Sequence, residues 1–223
     1  MKFLEYADED MLAIDLANVL AGALKQALLH HDTVSFAVPG GSTPGPVFDQ
    51  LCAATLDWDR VHVFPTDERW VPESDPRSNA ALIRERLLVA RAASARFLPL
   101  YAPVDDPEGA LAEIEAMLRP EMPISVLLLG MGADMHTASL FPGAPGLEGA
   151  LAADAPILSV QRPETMPETR VSLNAPALDG ALRKHLVITG AEKRAALERA
   201  MSLPPEEAPI NAVLSDMTVF WSE

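Results

Sequence analysis

One histidine of this chain lies where an imidazole could move protons. His136 belongs to the stretch "GMGADMHTASLFPG" and comes two positions after Asp134, in a glycine-rich segment that continues from the most apolar run, "ISVLLLG". A histidine in such a loop can be partly exposed and oriented, and its ordinary pKa of about 6.5 suits proton transfer at neutral pH. We therefore take His136 as the candidate acid–base group. The alternative is a loop histidine that caps a helix beginning at "TASL".

The segment "VPGGSTPG" predicts a tight turn between a strand and a helix. Gly40 and Gly41 allow the backbone to approach a ligand, and Ser42 and Thr43 add hydroxyl groups beside the free N–H groups of a helix start. These features favour a phosphate site, although the segment is neither a Walker A loop nor a G-x-G-x-x-G fingerprint. An ordinary Ser/Thr helix cap is the alternative. Because proline replaces the last glycine of a nucleophile elbow, we do not expect Ser42 to be a covalent nucleophile.

Charged side chains in three further segments could complete a site for an anion. The stretch "TDERW" places Asp67 near Arg69 at the end of a predicted strand, where a guanidinium could face an oxyanion. A surface ion pair is the alternative interpretation. Arg170 opens the strand candidate "RVSL". Lys193 lies in the first turn of a predicted helix, where the helix dipole disfavours a cation unless an anion binds nearby.

The remaining histidines do not suggest a second site. Two close a predicted helix and two lie in or beside strands, so we expect structural roles for His30, His31, His62 and His185. No second histidine lies three or four residues from His136, and no cysteine accompanies it. We therefore expect no metal ion at His136. The proton transfer considered for this residue needs no organic cofactor either.

Apolar periodicity predicts strands that alternate with helices along the whole chain. The predicted strands are 33–38, 61–65, 124–130, "ILSV", "RVSL", 185–190 and "TVFW", and the predicted helices are 10–29, about 45–54, 78–88, 107–118 and 191–201. This order predicts a single domain over residues 1–223 of the α/β class, with a doubly wound, mostly parallel sheet in a Rossmann-like three-layer sandwich. Such sheets bind ligands beyond the carboxyl ends of their strands, where the glycine turn, "TDERW", the His136 segment and "TGAEK" are placed.

Composition narrows the classes of partner. The net charge of −15 argues against a nucleic-acid or anionic-membrane surface, so an anionic substrate must be attracted by local positive groups. The amino terminus is acidic and helix-patterned rather than a signal peptide, and no apolar run approaches the roughly 20 residues of a membrane span. Cys52 is the single cysteine, which excludes an internal disulfide. We expect a cytoplasmic protein.

Taken together, these segments resemble the 6-phosphogluconolactonases. That family has, in the same order, a Gly-Gly-Ser-Thr-Pro loop, an Asp-Glu-Arg segment followed by Ser-Asn, a Gly-x-Asp-Gly-His-Thr-Ala-Ser-Leu-Phe-Pro loop, an Arg-hydrophobic-Ser/Thr-Leu strand and a Gly-x-x-Lys helix start. The corresponding stretches are "GGSTP", "DERWVPESDPRSN", "GADMHTASLFPG", "RVSL" and "GAEK". The resemblance spans almost the whole chain and implies a single Rossmann-like domain of the sugar-phosphate type.

The resemblance also implies an activity and its residues. The activity is hydrolysis of 6-phospho-D-glucono-1,5-lactone to 6-phospho-D-gluconate, the second step of the oxidative pentose phosphate pathway. His136 would transfer the proton, Arg69 would stabilise charge, and Asp67 would form a polar wall that orients its neighbours. The substrate phosphate would be bound by Gly40, Gly41, Ser42, Thr43, Arg170 and Lys193.

One position departs from the family pattern. Met135 stands where the family usually has glycine, directly before the proposed catalytic histidine. If the backbone there needs a positive φ, methionine is strained. If it does not, the methionine side chain could narrow the site.

Two alternatives remain open. A glucosamine-6-phosphate deaminase or isomerase shares the phosphate loop and the Asp-Glu segment, but generally has tyrosine after Asp-Glu and Asn-Glu-Pro after the histidine loop. A non-catalytic sugar-phosphate sensor would usually carry a DNA-binding segment, for which this chain leaves no room.

The expected partner is a small sugar-phosphate lactone, with no nucleic acid and no membrane, and the expected state is a monomer or weak homodimer.

Overall fold

The computed structural model describes residues 1–164 and 166–223. Within them the strands are β1 (Lys2–Tyr6), β2 (Val34–Val38), β3 (Val61–Pro65), β4 (Asp67–Arg69), β5 (Arg96–Phe97), β6 (Val126–Gly130), β7 (Leu158–Gln161), β8 (Arg170–Leu173), β9 (Lys184–Thr189) and β10 (Thr218–Ser222). The α-helices are α1 (Glu9–Leu28), α2 (Gly45–Leu51), α3 (Asn79–Arg86), α4 (Glu108–Leu118), α5 (Leu147–Leu151), α6 (Ala175–Asp179) and α7 (Ala191–Ala200).

Seven strands form one parallel sheet in the order β1-β10-β9-β6-β2-β3-β5. From β2 the chain moves outward through β3 and β5, and then crosses to β6 on the other side of β2. The order therefore reverses between β2 and β6, and ligands of open parallel sheets bind beyond the carboxyl ends of strands at such a point. A separate antiparallel sheet has the order β4-β8-β7.

Helices cover both faces of the parallel sheet because its central strands are apolar on both sides. In β6, Val126 and Leu128 pack into the core on one face, while Leu127 and Leu129 pack into the core on the other. Successive side chains of a strand point to opposite faces, so a continuous apolar run is the pattern of a strand buried on both sides. Helices α1, α2 and α3 contribute to the first core, and α4 to α7 contribute to the second. The predicted fold class is confirmed.

Helix α1 begins with a side-chain cap, since Asp8 accepts a hydrogen bond from the N–H of Met11. By length and composition this helix could cross a membrane, which qualifies the expectation that no segment has this property. Its apolar face is instead packed in the protein core through Leu12, Ala13, Leu16, Ala17, Leu20, Leu24 and Leu28. The packing is that of a core helix.

Three local predictions are wrong. The first residues are not helical, because Lys2–Tyr6 forms an edge strand that pairs with β10. Helix α2 ends at Leu51 rather than near Ala54. The segment "DER" is not a polar strand terminus alone but the short strand β4, which pairs with β8 in the small antiparallel sheet. A strand of three charged residues carries no apolar alternation, so periodicity cannot reveal it.

Candidate active site

All nine residues singled out from the sequence line one cleft. The cleft has a volume of about 230 Å³ and lies where β2 and β6 end, at the point where strand order reverses. Its walls include Gly40, Gly41, Ser42, Thr43, Asp67, Arg69, His136, Arg170 and Lys193. The segments after β2, β3, β6 and β9 thus meet as the fold class predicts, although the role of each residue is not decided by its position.

The loop after β2 forms one wall of the cleft. Gly41 has φ +87°, a conformation that favours glycine. The N-cap position of α2 is Pro44, and no side chain caps the helix. Ser42 and Thr43 are therefore not helix caps, and among the described residues their hydroxyl groups make no hydrogen bond to the protein. The loop presents two hydroxyl groups and a glycine backbone to the cleft.

His136 and Asp134 form a hydrogen-bonded pair beside this loop. The Asp134 Oδ1 atom lies 2.5 Å from Nδ1 of His136 and also accepts the His136 backbone N–H at 3.2 Å. The carboxylate thus favours the tautomer with its proton on Nδ1, which leaves the lone pair on Nε2. Burial raises the pKa of the Asp134 carboxyl, but the hydrogen bond and charge of His136 outweigh it and the pKa is lowered. His136 has the orientation of a general base.

Two neighbours fix the imidazole. The ring stacks on Phe141 with 4.3 Å between ring centroids. A Cβ atom added at Gly132 would lie 2.3 Å from His136 Cε1 and Nδ1 and 2.5 Å from Asp134 Oδ1, so only glycine leaves room for the pair. No helix begins at "TASL", where Thr137 and Leu140 form an isolated bridge. The helix-cap alternative for His136 is therefore wrong.

Met135, between the paired residues, has φ +69°. This is the left-handed region, which costs a residue with a Cβ roughly 1–2 kcal/mol. The side chain is only 8% exposed and belongs to the second core, so it does not narrow the cleft. Its backbone is held by hydrogen bonds from its N–H to Gly132 O and from the Ile210 N–H to its own carbonyl. The backbone strain that the sequence suggested for Met135 is therefore present.

Asp67 is a buried residue of the cleft wall that contacts two other buried side chains. Its Oδ2 accepts a hydrogen bond from Ser139 Oγ at 2.6 Å and lies 3.8 Å from Nη1 of Arg170. Arg170 is also buried, and its guanidinium lies 5.4 Å from the Phe141 ring centroid. Burial lowers the pKa of Arg170, against the attraction of Asp67. The surface ion pair considered within "TDERW" is not found among the described residues. Asp67 instead faces the buried Arg170, and its carboxylate is placed to orient Arg170 and Ser139.

Arg69 is held by the start of α3. Its Nη1 donates to the carbonyl of Arg77 at 2.6 Å and to Oδ1 of Asn79 at 3.0 Å. The neighbouring Glu68 is buried and accepts the backbone N–H groups of Asn79 and Ala80, each at 2.7 Å. Burial raises the pKa of Glu68, although these hydrogen bonds oppose the shift. Glu68 therefore binds the N-terminus of α3 to β4.

Lys193 reaches the cleft from the first turn of α7, as predicted. The helix follows Gly190, whose φ is +86°. The Gly190 carbonyl accepts a hydrogen bond from Trp221 Nε1 at 3.0 Å, and its N–H donates to the Ser222 carbonyl at 2.9 Å. Within residues 1–164 and 166–223, the Lys193 ammonium makes no ion pair.

The cleft is locally cationic in an acidic protein. Arg69, Arg170 and Lys193 line it, and the net charge of the chain is −15. In the described part of the chain, the Nε atoms of both arginines are buried and have no hydrogen-bond partner. Buried donors are normally satisfied, so these two N–H groups are exceptions. The guanidinium groups that carry them bring positive charge to the cleft wall. In the same residues, no group of three His, Cys, Asp or Glu side chains is arranged to hold a metal ion.

Sequence analysis missed three polar residues of this region. Asn79 lines the cleft, while Ser139 and Glu68 lie behind it, and all three are buried. They stand inside the motifs "SN", "HTASLFP" and "DER", which is the only signal the sequence offers for them. Their contacts join separate elements, β4 with α3 and β4 with the His136 loop, so no local sequence pattern predicts them.

The fold and the cleft define an α/β protein with a hydrogen-bonded Asp–His pair and a cationic site at the carboxyl edge of its parallel sheet. The family model described as glucosamine-6-phosphate isomerases/6-phosphogluconolactonase matches residues 7–221. The chain belongs to this family.

Its relatives include several 6-phosphogluconolactonases. The protein of that name from Mesorhizobium japonicum is 40% identical over 224 residues, covering 97% of this chain and 93% of the relative. The one from Caulobacter vibrioides is 39% identical over 214 residues, covering 93% and 91%. The crystal structure of a 6-phosphogluconolactonase from Shewanella baltica superposes with a TM-score of 0.96 at 32% identity, covering 100% of this chain and 98% of that one.

The fold extends to the other branch of the family. A monomeric glucosamine-6-phosphate deaminase superposes with a TM-score of 0.83 at 18% identity, covering 100% of this chain and 98% of that one. At this identity the likeness shows the fold alone.

Proposed function

We propose that this chain hydrolyses 6-phospho-D-glucono-1,5-lactone to 6-phospho-D-gluconate, the second step of the oxidative pentose phosphate pathway. The single observation that carries the proposal is the Asp134–His136 pair in a cationic cleft, in a chain 39–40% identical to 6-phosphogluconolactonases over more than nine-tenths of its length. Among the described residues, the pair supplies a base and the cations supply anion binding. A lactone ester that carries a phosphate needs both.

The phosphate, with a charge of about −2 at neutral pH, is held by the loop after β2 together with Arg170 and Lys193. Gly41 lets the backbone approach, and Ser42 and Thr43 donate from their hydroxyl groups. The position of Lys193 and Arg170 in the cleft wall supports this assignment, as does the absence of an ion pair at the Lys193 ammonium among the described residues. Binding energy from the phosphate then orients the reacting end of the substrate.

His136 transfers the proton. Its neutral Nε2 takes a proton from a water molecule as the water oxygen attacks C1, and the carbonyl oxygen becomes an oxyanion. When the bond between C1 and the ring oxygen breaks, the imidazolium returns that proton to the ring oxygen. The new carboxylic acid loses its own proton to water at neutral pH. Asp134 holds the ring in the required tautomer and stabilises the imidazolium.

Arg69 stabilises the oxyanion as it forms. Its positive charge interacts most strongly with the negative charge that forms on the carbonyl oxygen in the transition state. Such interactions raise kcat rather than tighten substrate binding. Asp67 does not reach the reacting atoms in this scheme. Its bonds to Ser139 and Arg170 make it a positioning residue.

The deaminase alternative is disfavoured by Arg69. Deaminases generally have tyrosine at this position and Asn-Glu-Pro after the histidine loop, whereas this chain has Arg69 in the cleft and "SLFPG" after His136. We place the enzyme in the cytoplasm as a monomer or weak homodimer with no nucleic-acid or membrane partner.

The test is a coupled assay. A dehydrogenase oxidises glucose 6-phosphate to the lactone in situ, and the disappearance of the lactone is timed with and without this protein. We expect loss far faster than the spontaneous opening. A rate equal to the spontaneous one, together with ammonia release from glucosamine 6-phosphate, would instead establish the deaminase.

A further inference from the structure

We propose that Asn79 is a positioning residue that sets the orientation of Arg69 in the reaction; this inference rests on the proposed function. Asn79 is the first residue of α3 and is 2% exposed, yet it lines the cleft. Its side chain joins α3 to β4 and to the loop after β2.

The Asn79 amide has one possible orientation. Its Oδ1 accepts from Arg69 Nη1 at 3.0 Å, and its Nδ2 donates to the Asp67 carbonyl at 2.7 Å. A flipped amide would place a donor against the guanidinium and an acceptor against the carbonyl. One side chain therefore fixes both the backbone of β4 and the end of the Arg69 side chain.

The loop after β2 closes the third side. A Cβ atom added at Gly40 would lie 1.8 Å from Asn79 Oδ1, so the amide rests directly against the glycine backbone. Glycine at this position thus makes room for Asn79 as well as for a ligand. The Asn79 amide thus packs against the loop after β2 while it accepts a hydrogen bond from the Arg69 guanidinium.

The base of this arrangement is Glu68. Its Oε1 accepts the backbone N–H groups of Asn79 at 2.7 Å and of Arg69 at 2.8 Å. The backbones of the two residues are thus bound to one carboxylate oxygen, while their side chains meet over the cleft. Without the amide, the Arg77 carbonyl is the one partner that Arg69 Nη1 keeps among the described residues, and the guanidinium can turn about that bond.

The consequence is specific for the chemical step. A misplacement of about 1 Å in a catalytic group can cost on the order of 10²-fold in rate. Asn79 hydrogen-bonds to Arg69, whereas its contact with the loop after β2 at Gly40 is packing alone, so we expect its loss to affect the chemical step more than phosphate binding. Asn79→Ala should lower kcat about tenfold and change KM by less than about twofold.

Ser78→Ala is the matched control. Ser78 caps the same helix, accepting the Ala81 N–H at 3.2 Å and donating to Glu68 Oε2 at 3.1 Å. In the described part of the chain its side chain makes no hydrogen bond to Arg69. Both variants weaken the start of α3, and thermal unfolding measures that loss. Ser78→Ala should keep kcat within about twofold of wild type at a similar loss of melting temperature.

A double-mutant cycle with Arg69→Ala completes the test. If Asn79 acts through Arg69, Asn79→Ala should change kcat by less than about twofold in the Arg69→Ala background. The same tenfold loss in that background, or an equal loss in Ser78→Ala, would overturn the proposal and leave Asn79 a structural residue. A wild-type kcat in the single variant Arg69→Ala would also overturn the proposal, because it would show that Arg69 does not act in the chemical step. Wild-type protein with no lactonase activity would identify failure of the proposed function instead.

Discussion

Asp134 and His136 face each other across a single residue: the carboxylate Oδ1 of Asp134 lies 2.5 Å from the imidazole Nδ1 of His136. Side chains two positions apart meet in this way because Met135 between them has φ +69° and Gly132 leaves the space empty. The proposed acid–base pair therefore depends on the strained backbone of Met135 and on the small size of Gly132.

Removal of the carboxylate charge tests the role of Asp134. Asp134→Asn keeps the size of the side chain but offers neither the charge that stabilises an imidazolium nor a sure acceptor for Nδ1. General acid–base catalysis contributes about 10²- to 10⁴-fold, and we expect kcat to fall by about tenfold or more. Steady-state kinetics on the lactone measure the loss. Asp154→Asn, an exposed substitution of the same kind, should have wild-type kcat; equal kcat in both variants would argue against the pair.

A substitution that removes no chemical group tests the geometry of the pair. Gly132→Ala places a Cβ atom 2.3 Å from the imidazole and 2.5 Å from the Asp134 carboxylate, so one of the two must move. We expect a kcat loss comparable to that of Asp134→Asn, with KM nearly unchanged. Gly109→Ala has open space at its Cβ and is the control. Full activity in Gly132→Ala would show that the pair tolerates displacement.

At position 135 we expect a glycine variant to be more stable than an alanine variant, the reverse of the usual order of stability. Both substitutions remove a buried side chain, and such truncations cost about 2–5 kcal/mol of unfolding free energy. Alanine keeps the penalty of a positive φ, whereas glycine does not, so Met135→Gly should be more stable than Met135→Ala by about 1 kcal/mol. Urea unfolding of the three proteins gives the order. Greater stability of the alanine variant would contradict a strained backbone at this residue.

His185 should make the fold sensitive to acid. It is 6% exposed in β9, and neither ring nitrogen has a hydrogen-bond partner in the described residues. Burial, with a contribution from Arg183, lowers the pKa of His185 to about 4. The unfolded chain, with a pKa near 6.5, then binds more protons than the folded protein between about pH 6.5 and 4. Stability is present above this window and is lost as the pH falls through it, by roughly 3 kcal/mol from this group.

Denaturant unfolding at pH 7.5 and pH 4.5 checks this expectation. Carboxyl groups also titrate in this range, so the measured quantity is the difference between proteins. His185→Leu should lose less unfolding free energy on acidification than wild type, while His31→Leu at an exposed position should match wild type. Equal losses in wild type and His185→Leu would refute the buried neutral imidazole.

The sequence was sufficient for the central strands of the parallel sheet and for the nine residues of the cleft, but not for the edge strands β1 and β5. The apolar run of β6 and the glycine turns after β2 and β9 are local signals, and the carboxyl-edge rule then places His136, Gly41 and Lys193 together. The roles of these residues are inferences that kinetics must decide.

The remaining features depend on contacts between distant segments. The strand Asp67–Arg69 exists because it pairs with β8, more than 100 residues away, and the amide of Asn79 matters because Arg69 and Gly40 converge on it. The positive φ of Met135 could be established only from the structure. The family pattern, with glycine at this position, left open whether the backbone has a positive φ. Periodicity carries no information on such contacts.

The central claim is that His136 is the proton-transfer group, and lactone turnover by His136→Ala tests it most directly. The rate is measured as the excess over spontaneous opening, beside wild type and His31→Ala, with thermal unfolding of each protein. We expect His136→Ala to lose about 10²- to 10⁴-fold in kcat while its melting temperature stays close to that of wild type. Turnover near the wild-type rate in a folded His136→Ala protein would contradict the assignment.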